Sequence, residues 1–233
     1  MIAAVTGGEG FIGKFLLQEL ERCQIPFVIV DRAAWSDPET LRNSIPENSK
    51  VVHLAGLSRH TDGNLLYQQN MILAEKLAAA AENKNCRIFL ASSPHVLFKD
   101  LPYHRSKRDA VKVFEAHDIP VSALYMPNTF GPGSKPFYNS VVSTFAALAA
   151  EGKTPPEINP VMLELIPVRD LCRQIVRHLD SNDGEIHIPH TLEIALPELW
   201  EKMLHPSEND PAGELLTEVV AYFKQKMTDH YID

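Results

Sequence analysis

The sequence has few cysteines, no long apolar run and no excess of positive charge, and each absence excludes a class of protein. Its three cysteines, Cys23, Cys86 and Cys172, are widely separated and form no C-x-x-C pair. We therefore expect three free thiols, buried or without a chemical role, in a reducing compartment, and not a disulfide framework. No segment reaches the ~20 apolar residues of a membrane span. The chain begins directly in an apolar run without a basic segment before it, which predicts no signal peptide and a cytoplasmic protein.

The charge balance and the histidines exclude two further kinds of site. A net charge of −8 argues against nucleic acid as the main partner, because a phosphate backbone attracts a basic surface. His187 and His190 are three residues apart, but the Ile-Pro between them indicates a strand end, and no carboxylate stands at ligand spacing. We therefore expect no metal site. The chain of 233 residues, 45% of them hydrophobic, is long enough for one large domain or a domain with a small lobe.

The first thirteen residues organise the rest of the chain. An apolar run, Ile2 to Val5, has the length and composition of a buried strand, and a helix pattern begins near Gly10. Between them lies a glycine turn that fits G-x-G-x-x-G from Gly8 and the looser G-x-x-G-x-x-G from Gly7. A strand, a glycine turn and a helix form the dinucleotide-binding fingerprint, in which the helix N-terminus receives a pyrophosphate. We expect the cofactor to contact Gly7, Gly10, Phe11, Ile12 and Gly13.

The second expected strand, Ile25 to Val30, ends at Asp31-Arg32. An acidic residue about twenty positions after the glycines is where the adenosine ribose hydroxyls are held, so Asp31 favours NAD. Arg32 beside it favours the 2′-phosphate of NADP. The sequence therefore predicts a nicotinamide dinucleotide, NAD(P)(H), and leaves the choice between NAD and NADP open.

Strand and helix patterns alternate from residue 1 to Met126, without repeats or low-complexity tracts. This alternation predicts an α/β fold, a Rossmann-type doubly wound parallel sheet with helices on both faces. We expect a dinucleotide-binding core over residues 1–127 and a small C-terminal substrate-binding lobe over residues 128–233, part of which returns to the sheet. Within the lobe we expect a loop over Pro127–Gly133, an extended segment over Leu165–Val168, helices over Asp170–Leu179 and Glu214–Lys226, a strand over Glu185–Ile188 and a polar link over Ser207–Gly213.

Tyr103 and Lys107 are the strongest candidates for catalytic residues. Positions i and i+4 share one face of a helix, and an ammonium near a phenol is expected to lower the pKa of the tyrosine. Such a tyrosine passes a proton to or from an alcohol oxygen while a nicotinamide passes a hydride. Ser93, at the end of the preceding strand, is placed to hydrogen-bond the same oxygen.

With these motifs the chain resembles the extended short-chain dehydrogenase/reductase family of sugar-nucleotide epimerases, dehydratases and reductases. The likeness covers nearly the whole chain. Its motifs are Thr6–Gly13, Val52–Gly56, Asn70, Ser92-Ser93, Tyr103 with Lys107, Pro127–Gly133 and Pro167–Asp170. The runs His53–Arg59 and Lys135–Phe145 resemble, more narrowly, a reductase branch that makes the UDP-N-acetyl-L-fucosamine precursor for capsular polysaccharide. This sequence carries no part that resembles the metal-binding cupin domain of that branch.

The resemblance implies roles for further residues. The residues expected to contact the cofactor are Leu54, Ala55, Gly56 and Pro127, together with Tyr103 and Lys107. The residues expected to contact a nucleotide-sugar substrate are Ser58, Arg59, Ser93, Asn128, Lys135, Tyr138 and Asn139. The resemblance also implies a homodimer that forms through the helices holding Asn70 and Tyr103.

Several functions remain open on this scaffold. The leading hypothesis is a reductase of a keto-sugar nucleotide, with Tyr103 as proton donor. A dehydratase is disfavoured, because Pro94-His95 and not an Asp-Glu pair follows Ser93. An epimerase would retain its nicotinamide through the cycle. A non-catalytic dinucleotide-binding protein would be expected to lose the tyrosine or the lysine, and both are present.

Overall fold

The structure, a computed structural model, describes residues 1–138, 140–205 and 210–229. The chain forms two compact units, one of Met1–Met126 with Cys172–Ile188 and one of Pro127–Leu171 with Pro189–Asp233. A segment late in the chain thus belongs to the unit that holds the N-terminus.

The strands and helices alternate through the first half of the chain. The strands are β1 (Ala3–Thr6), β2 (Phe27–Val30), β3 (Lys50–His53), β4 (Arg87–Ser92), β5 (Val121–Tyr125), β6 (Asn128–Phe130), β7 (Met162–Pro167), β8 (Glu185–His187) and β9 (Leu192–Ala195). The helices are α1 (Phe11–Arg22), α2 (Pro38–Asn43), α3 (Gly63–Ala81), α4 (Pro102–Ala116), α5 (Val141–Ala150), α6 (Val168–His178), α7 (Leu196–Leu204) and α8 (Pro211–Asp229). Short 3₁₀ turns cover Ala33–Ser36 and Pro94–Leu97.

The first unit is built on a six-stranded parallel sheet in the order β2-β1-β3-β4-β5-β8. This confirms the expected Rossmann-type α/β fold. The strand order reverses at β1, because β2 lies on one side of it and β3 on the other. Ligands of open α/β sheets bind at the carboxyl ends of the strands where the order reverses. The glycine turn follows β1 at that edge.

The core of the first unit lies between the sheet and helices α2, α3 and α4. Ala4, Val51 and Ile88 point from three neighbouring strands into one apolar cluster, which Leu77 and Phe114 of α3 and α4 complete. All five of these residues are 0% exposed, as continuous burial of a parallel sheet requires. The cluster fixes α3 and α4 at the sheet, and both helices carry candidate site residues.

The second unit contains a three-stranded sheet in the order β6-β7-β9, with β7 and β9 antiparallel. Phe130, Phe145, Trp200 and Leu216 belong to the apolar cluster between this sheet and helices α5, α7 and α8.

In the C-terminal part of the chain, four parts of the expected secondary structure were wrong. The expected loop Pro127–Gly133 contains strand β6, and β9 was not predicted at all. Both strands are short, of three and four residues, and each pairs with β7, a partner that local sequence does not specify. Helix α6 begins at Val168 rather than Asp170. Of the expected polar link, Pro211–Gly213 lie in α8 and Asp210 precedes it. Residues 207–209 lie outside the described residues.

Two negative findings apply to the part of the chain that the structure describes. None of its helices is long and apolar enough to cross a membrane. Its His, Cys, Asp and Glu side chains form no group of three or more that could hold a metal ion.

Candidate active site

The glycine turn after β1 is closed by backbone contacts that leave no room for a side chain at two of its glycines. Gly7 has a φ of +71°, and a Cβ there would lie 2.8 Å from the Ala55 backbone nitrogen. A Cβ on Gly13 would lie 2.2 Å from the Gly7 carbonyl oxygen. A Cβ on Gly8 would meet only the side chains of Ile29, at 3.1 Å, and Leu17. The steric constraint therefore follows the Gly7, Gly10, Gly13 register and not the register that starts at Gly8.

The same turn leaves the N-terminus of α1 open toward a ligand. Gly10 is the N-cap residue and offers no side chain to the first-turn N–H groups. Its own N–H donates to the Gly7 carbonyl at 3.0 Å, which tightens the turn. Free N–H groups and the helix dipole favour an anion at this position. The turn therefore fits the pyrophosphate of a dinucleotide.

Asp31 and Arg32 are both exposed just beyond β2. One carboxylate oxygen of Asp31 accepts a hydrogen bond from the Ala34 N–H at 2.9 Å, within the 3₁₀ turn that follows. This bond fixes the carboxylate at the carboxyl edge of the sheet, next to the strand that precedes the glycine turn.

The end of β3 is joined to β1 through a buried polar pair. Thr6 Oγ1 lies 2.7 Å from His53 Nδ1 and accepts a hydrogen bond from the Ala55 N–H at 3.1 Å. His53 is 2% exposed, and burial, together with the nearby Lys107 charge, lowers its pKa to about 3. The pair holds the segment Leu54–Gly56 beside the glycine turn. The His53 imidazole in the pair is neutral.

This buried histidine predicts a specific acid sensitivity. The folded-state pKa of His53, about 3, lies below the ordinary 6.5 of an unfolded chain. The unfolded state therefore binds the extra proton, and stability falls as pH drops between those values, by about 1.4 kcal/mol per pH unit. In urea denaturation, we expect His53→Gln to be less stable than the wild type near neutral pH but to lose stability less steeply on acidification. Equal slopes for the two proteins would contradict this assignment.

Asn70 on α3 connects the turn after β3 to the start of α4. Its Oδ1 accepts from the Leu57 N–H at 2.8 Å, and its Nδ2 donates to the Leu57 carbonyl at 3.0 Å and to Ser106 Oγ at 3.1 Å. Ser106 in turn donates to the Tyr103 carbonyl at 2.7 Å. The chain of bonds fixes the first turn of α4 against this loop, in which Ser58 and Arg59 are exposed.

Tyr103 and Lys107 lie one turn apart on α4, with Lys107 Nζ 5.7 Å from the centre of the Tyr103 ring. The expected lowering of the tyrosine pKa was wrong for this structure, because burial dominates and raises the pKa of Tyr103 to about 12. Burial also lowers the pKa of Lys107 to about 8. At neutral pH the phenol is therefore protonated and Lys107 remains charged, the states that a proton donor and its partner need.

Ser93 follows β4 directly and caps the 3₁₀ turn Pro94–Leu97. Its Oγ accepts from the His95 N–H at 3.4 Å and lies 3.3 Å from His95 Nδ1. The His95 ring contacts the His104 ring at 6.4 Å between centroids, and His104 contacts Tyr103 at 5.4 Å. Sequence reasoning identified Ser93 and Tyr103 as candidate site residues but gave His95 no role. A histidine two residues after the candidate serine could have indicated it.

The remaining candidate residues lie in the second unit. Asn128 opens β6, directly after Pro127, and Lys135 Nζ lies 5.1 Å from the centre of the Tyr138 ring. Asn139 lies outside the described residues. Within the first unit, the structure brings Gly7 to Ala55 and Gly56 to Asn70 and Lys107.

Residues 3–195 match the model of the NAD dependent epimerase/dehydratase family. Over 216 residues the chain is 30% identical to the UDP-2-acetamido-2,6-beta-L-arabino-hexul-4-ose reductase of Pseudomonas aeruginosa. That match covers 87% of this chain but only 57% of the length of the Pseudomonas protein.

Solved structures with low sequence identity share the fold. The UDP-glucose 4-epimerase of Thermotoga maritima, solved with UDP-glucose, is 17% identical over 97% of this chain and 100% of its own, with a TM-score of 0.81. RMD from Pseudomonas aeruginosa, complexed with NADPH, is 19% identical over 97% of this chain and 98% of its own, with a TM-score of 0.79.

Proposed function

Because the chain belongs to the NAD dependent epimerase/dehydratase family, we propose that it is an NAD(P)-dependent reductase of a keto-sugar nucleotide. The observation that carries this proposal is the Tyr103–Lys107 pair, a protonated phenol with an ammonium one helical turn away. Such a pair is what carbonyl reduction requires on the protein side. The glycine turn at the reversal of strand order supplies the fitting cradle for the dinucleotide.

We assign the cofactor to the carboxyl edge of the six-stranded sheet. Gly7, Gly10 and Gly13, with Phe11 and Ile12 in the first turn of α1, would hold the pyrophosphate. Asp31 and Arg32 would meet the adenosine ribose. The other cofactor contacts that we propose are Leu54, Ala55, Gly56, Tyr103, Lys107 and Pro127. When bound, the nicotinamide supplies a hydride.

In the proposed reaction, the chain's own residues hold the carbonyl and deliver the proton. Ser93 Oγ donates a hydrogen bond to the carbonyl oxygen and orients it. Tyr103 transfers its phenolic proton to that oxygen as the carbon accepts the hydride, so that the ketone becomes an alcohol. The Lys107 charge stabilises the phenolate that remains and would hold the nicotinamide ribose.

The substrate class rests on the Pseudomonas reductase, whose name gives a 4-keto sugar nucleotide. We propose that Ser58, Arg59, Asn128, Lys135, Tyr138 and Asn139 contact the sugar nucleotide. Lys135 supports this role, because its ammonium lies against the Tyr138 ring on an otherwise acidic protein. Since the chain spans 57% of that relative, its activity is transferred only as a proposal.

The test of the function is a coupled binding and turnover measurement. Calorimetry with NAD and NADP identifies the preferred dinucleotide. Purified protein is then given its reduced form with UDP-2-acetamido-2,6-beta-L-arabino-hexul-4-ose, and absorbance of the reduced nicotinamide is followed. We expect oxidation that depends on both protein and sugar. Dinucleotide binding without turnover on this and on GDP- and dTDP-linked 4-keto sugars would instead indicate a non-catalytic dinucleotide-binding protein.

An epimerase on the same scaffold is the second candidate, because the family and the Thermotoga structure include that activity. Epimerisation regenerates its nicotinamide in every cycle. Cofactor that stays bound through purification, with sugar conversion but no net oxidation of NADPH, would favour the epimerase.

We further propose a homodimer that forms through α3 and α4, which hold Asn70 and Tyr103. Leu65 and Ile72 support this, since both are apolar and exposed on α3.

We also propose that the protein is located in the cytoplasm. Three free thiols, at Cys23, Cys86 and Cys172, support this location. The product would then serve capsular polysaccharide synthesis.

A further inference from the structure

Residues 94–101 join the two side chains that are proposed to contact the substrate carbonyl, and Arg108 of α4 binds this segment at three points. Its Nη1 donates to the Val96 carbonyl at 2.7 Å and to the Lys99 carbonyl at 2.8 Å. Its Nη2 donates to the Asp100 carboxylate. A guanidinium is planar and presents its donors in a fixed fork, so these three acceptors are held in a defined position relative to α4.

Apolar packing does little to hold the same segment. Val96 is 3% exposed and packs against β5. The other large apolar side chains of the segment, Leu97, Phe98 and Leu101, are 55%, 71% and 60% exposed. Because they bury little area, they contribute little to stability. The position of the segment after Val96 therefore depends on hydrogen bonds, and Arg108 supplies three of them.

We propose that Arg108 is a positioning residue for the reduction, which sets the place of Ser93 relative to Tyr103 so that both hydroxyls reach one carbonyl oxygen. The inference rests on the proposed function, since it needs both groups at that oxygen. Ser93 follows β4, and Tyr103 lies in the first turn of α4, so their separation depends on how the connecting segment is held. Misplacement of a group by about 1 Å can slow a reaction about a hundredfold.

The bonds from Arg108 act at both ends of the segment. Ser93 caps the 3₁₀ turn Pro94–Leu97, and the Val96 carbonyl that accepts from Arg108 lies inside this turn. The Val96 N–H donates to the Ser93 carbonyl at 3.0 Å, which connects the bonded residue directly to the serine. At the other end, the bond to the Lys99 carbonyl fixes the chain just before α4 begins. Loss of the guanidinium would release both ends at once.

Asp100 contributes least among the three acceptors. Its side chain is 74% exposed, and an exposed ion pair adds little to stability. Asp100→Ala should therefore lower kcat by less than about fivefold. The larger effect belongs to the two backbone carbonyls, which only a change at Arg108 deprives of their donor.

The first test measures kcat for oxidation of the reduced dinucleotide with UDP-2-acetamido-2,6-beta-L-arabino-hexul-4-ose. We expect Arg108→Ala to lower kcat at least about tenfold, because the two hydroxyls no longer meet at one oxygen. The dinucleotide Kd should not change, since the glycine turn makes no contact with this segment in the proposed binding mode. Arg105→Ala, the same substitution at an exposed position of the same helix, should leave both values unchanged.

A double-mutant cycle with Ser93→Ala separates positioning from a general loss of structure. If Arg108 acts through Ser93, Arg108→Ala lowers kcat at least about tenfold in the wild type but less than about twofold when Ser93 is already alanine. An equal loss in both backgrounds would overturn the positioning role, and so would an unchanged kcat in Arg108→Ala.

Amide hydrogen exchange gives a readout that needs no turnover. The N–H groups of Val96, Phe98 and Lys99 donate to the carbonyls of Ser93 and His95. We expect them to exchange faster in Arg108→Ala and at the wild-type rate in Arg105→Ala.

The two readouts distinguish the failure of each proposal. Unchanged exchange in Arg108→Ala, with an active wild type, would overturn the role of Arg108 and leave the reductase standing. A wild type that binds the dinucleotide but reduces no keto sugar would overturn the reductase, and the positioning role would fall with it.

Discussion

Replacing Tyr103 by Phe is expected to lower the rate of keto-sugar reduction by a factor of about 10² to 10⁴. This is the range that a positioned proton donor contributes. The change removes only the phenolic oxygen, so the ring contact with His104 and the placement of Lys107 stay in place. The measurement is kcat for oxidation of the reduced nicotinamide, with dinucleotide affinity measured by calorimetry on the same preparation.

Tyr67→Phe is the matched control for this variant. Tyr67 lies on α3, and its hydroxyl donates to Asp109 Oδ2 on α4 at 2.9 Å, so the control removes a phenolic oxygen from the same helix pair. We expect it to cost stability but to leave kcat within a few-fold of the wild type. A Tyr103→Phe protein with full turnover would remove Tyr103 from the mechanism, and equal losses in both variants would make the effect structural.

Local sequence patterns were enough to predict the parts of the site that depend on short-range geometry. The glycine turn follows from an apolar run and glycine spacing within thirteen residues, and the first helix begins within one residue of its expected start. Tyr103 and Lys107 share a face because any helix places positions i and i+4 together. These relations hold whatever the rest of the chain does, so the sequence is sufficient to find them.

Relations that depend on tertiary contacts could not be found in this way. Asn70 is 13 residues from Leu57 and 36 from Ser106, and no pattern specifies that one amide bonds to both. The direction of the Tyr103 pKa depends on how deeply the phenol is buried, which spacing does not give. Strands β6 and β9 are three and four residues long, and each pairs with β7, a partner that its own sequence does not specify.

The glycine turn supplies the other large expected effect, in the Gly13→Ala variant. The added Cβ would lie 2.2 Å from the Gly7 carbonyl oxygen and 2.7 Å from Gly8 Cα, both backbone atoms that move only if the turn opens. Such overpacking costs about 1–3 kcal/mol of folding stability. Because the same backbone forms the pyrophosphate cradle, we expect dinucleotide affinity to fall more than about tenfold. Urea denaturation and calorimetry measure the two effects.

Two further glycines make a graded series that ties the effect to the turn. In Gly10→Ala the nearest atom to the new Cβ is the Gly7 carbonyl oxygen at 3.2 Å, a contact that a small shift relieves. In Gly184→Ala the Cβ meets nothing within 4 Å. Dinucleotide affinity should therefore fall most in Gly13→Ala, less in Gly10→Ala and not at all in Gly184→Ala. An unchanged affinity in Gly13→Ala would mean that the dinucleotide does not lie on this turn, since the clash cannot be relieved without moving its backbone.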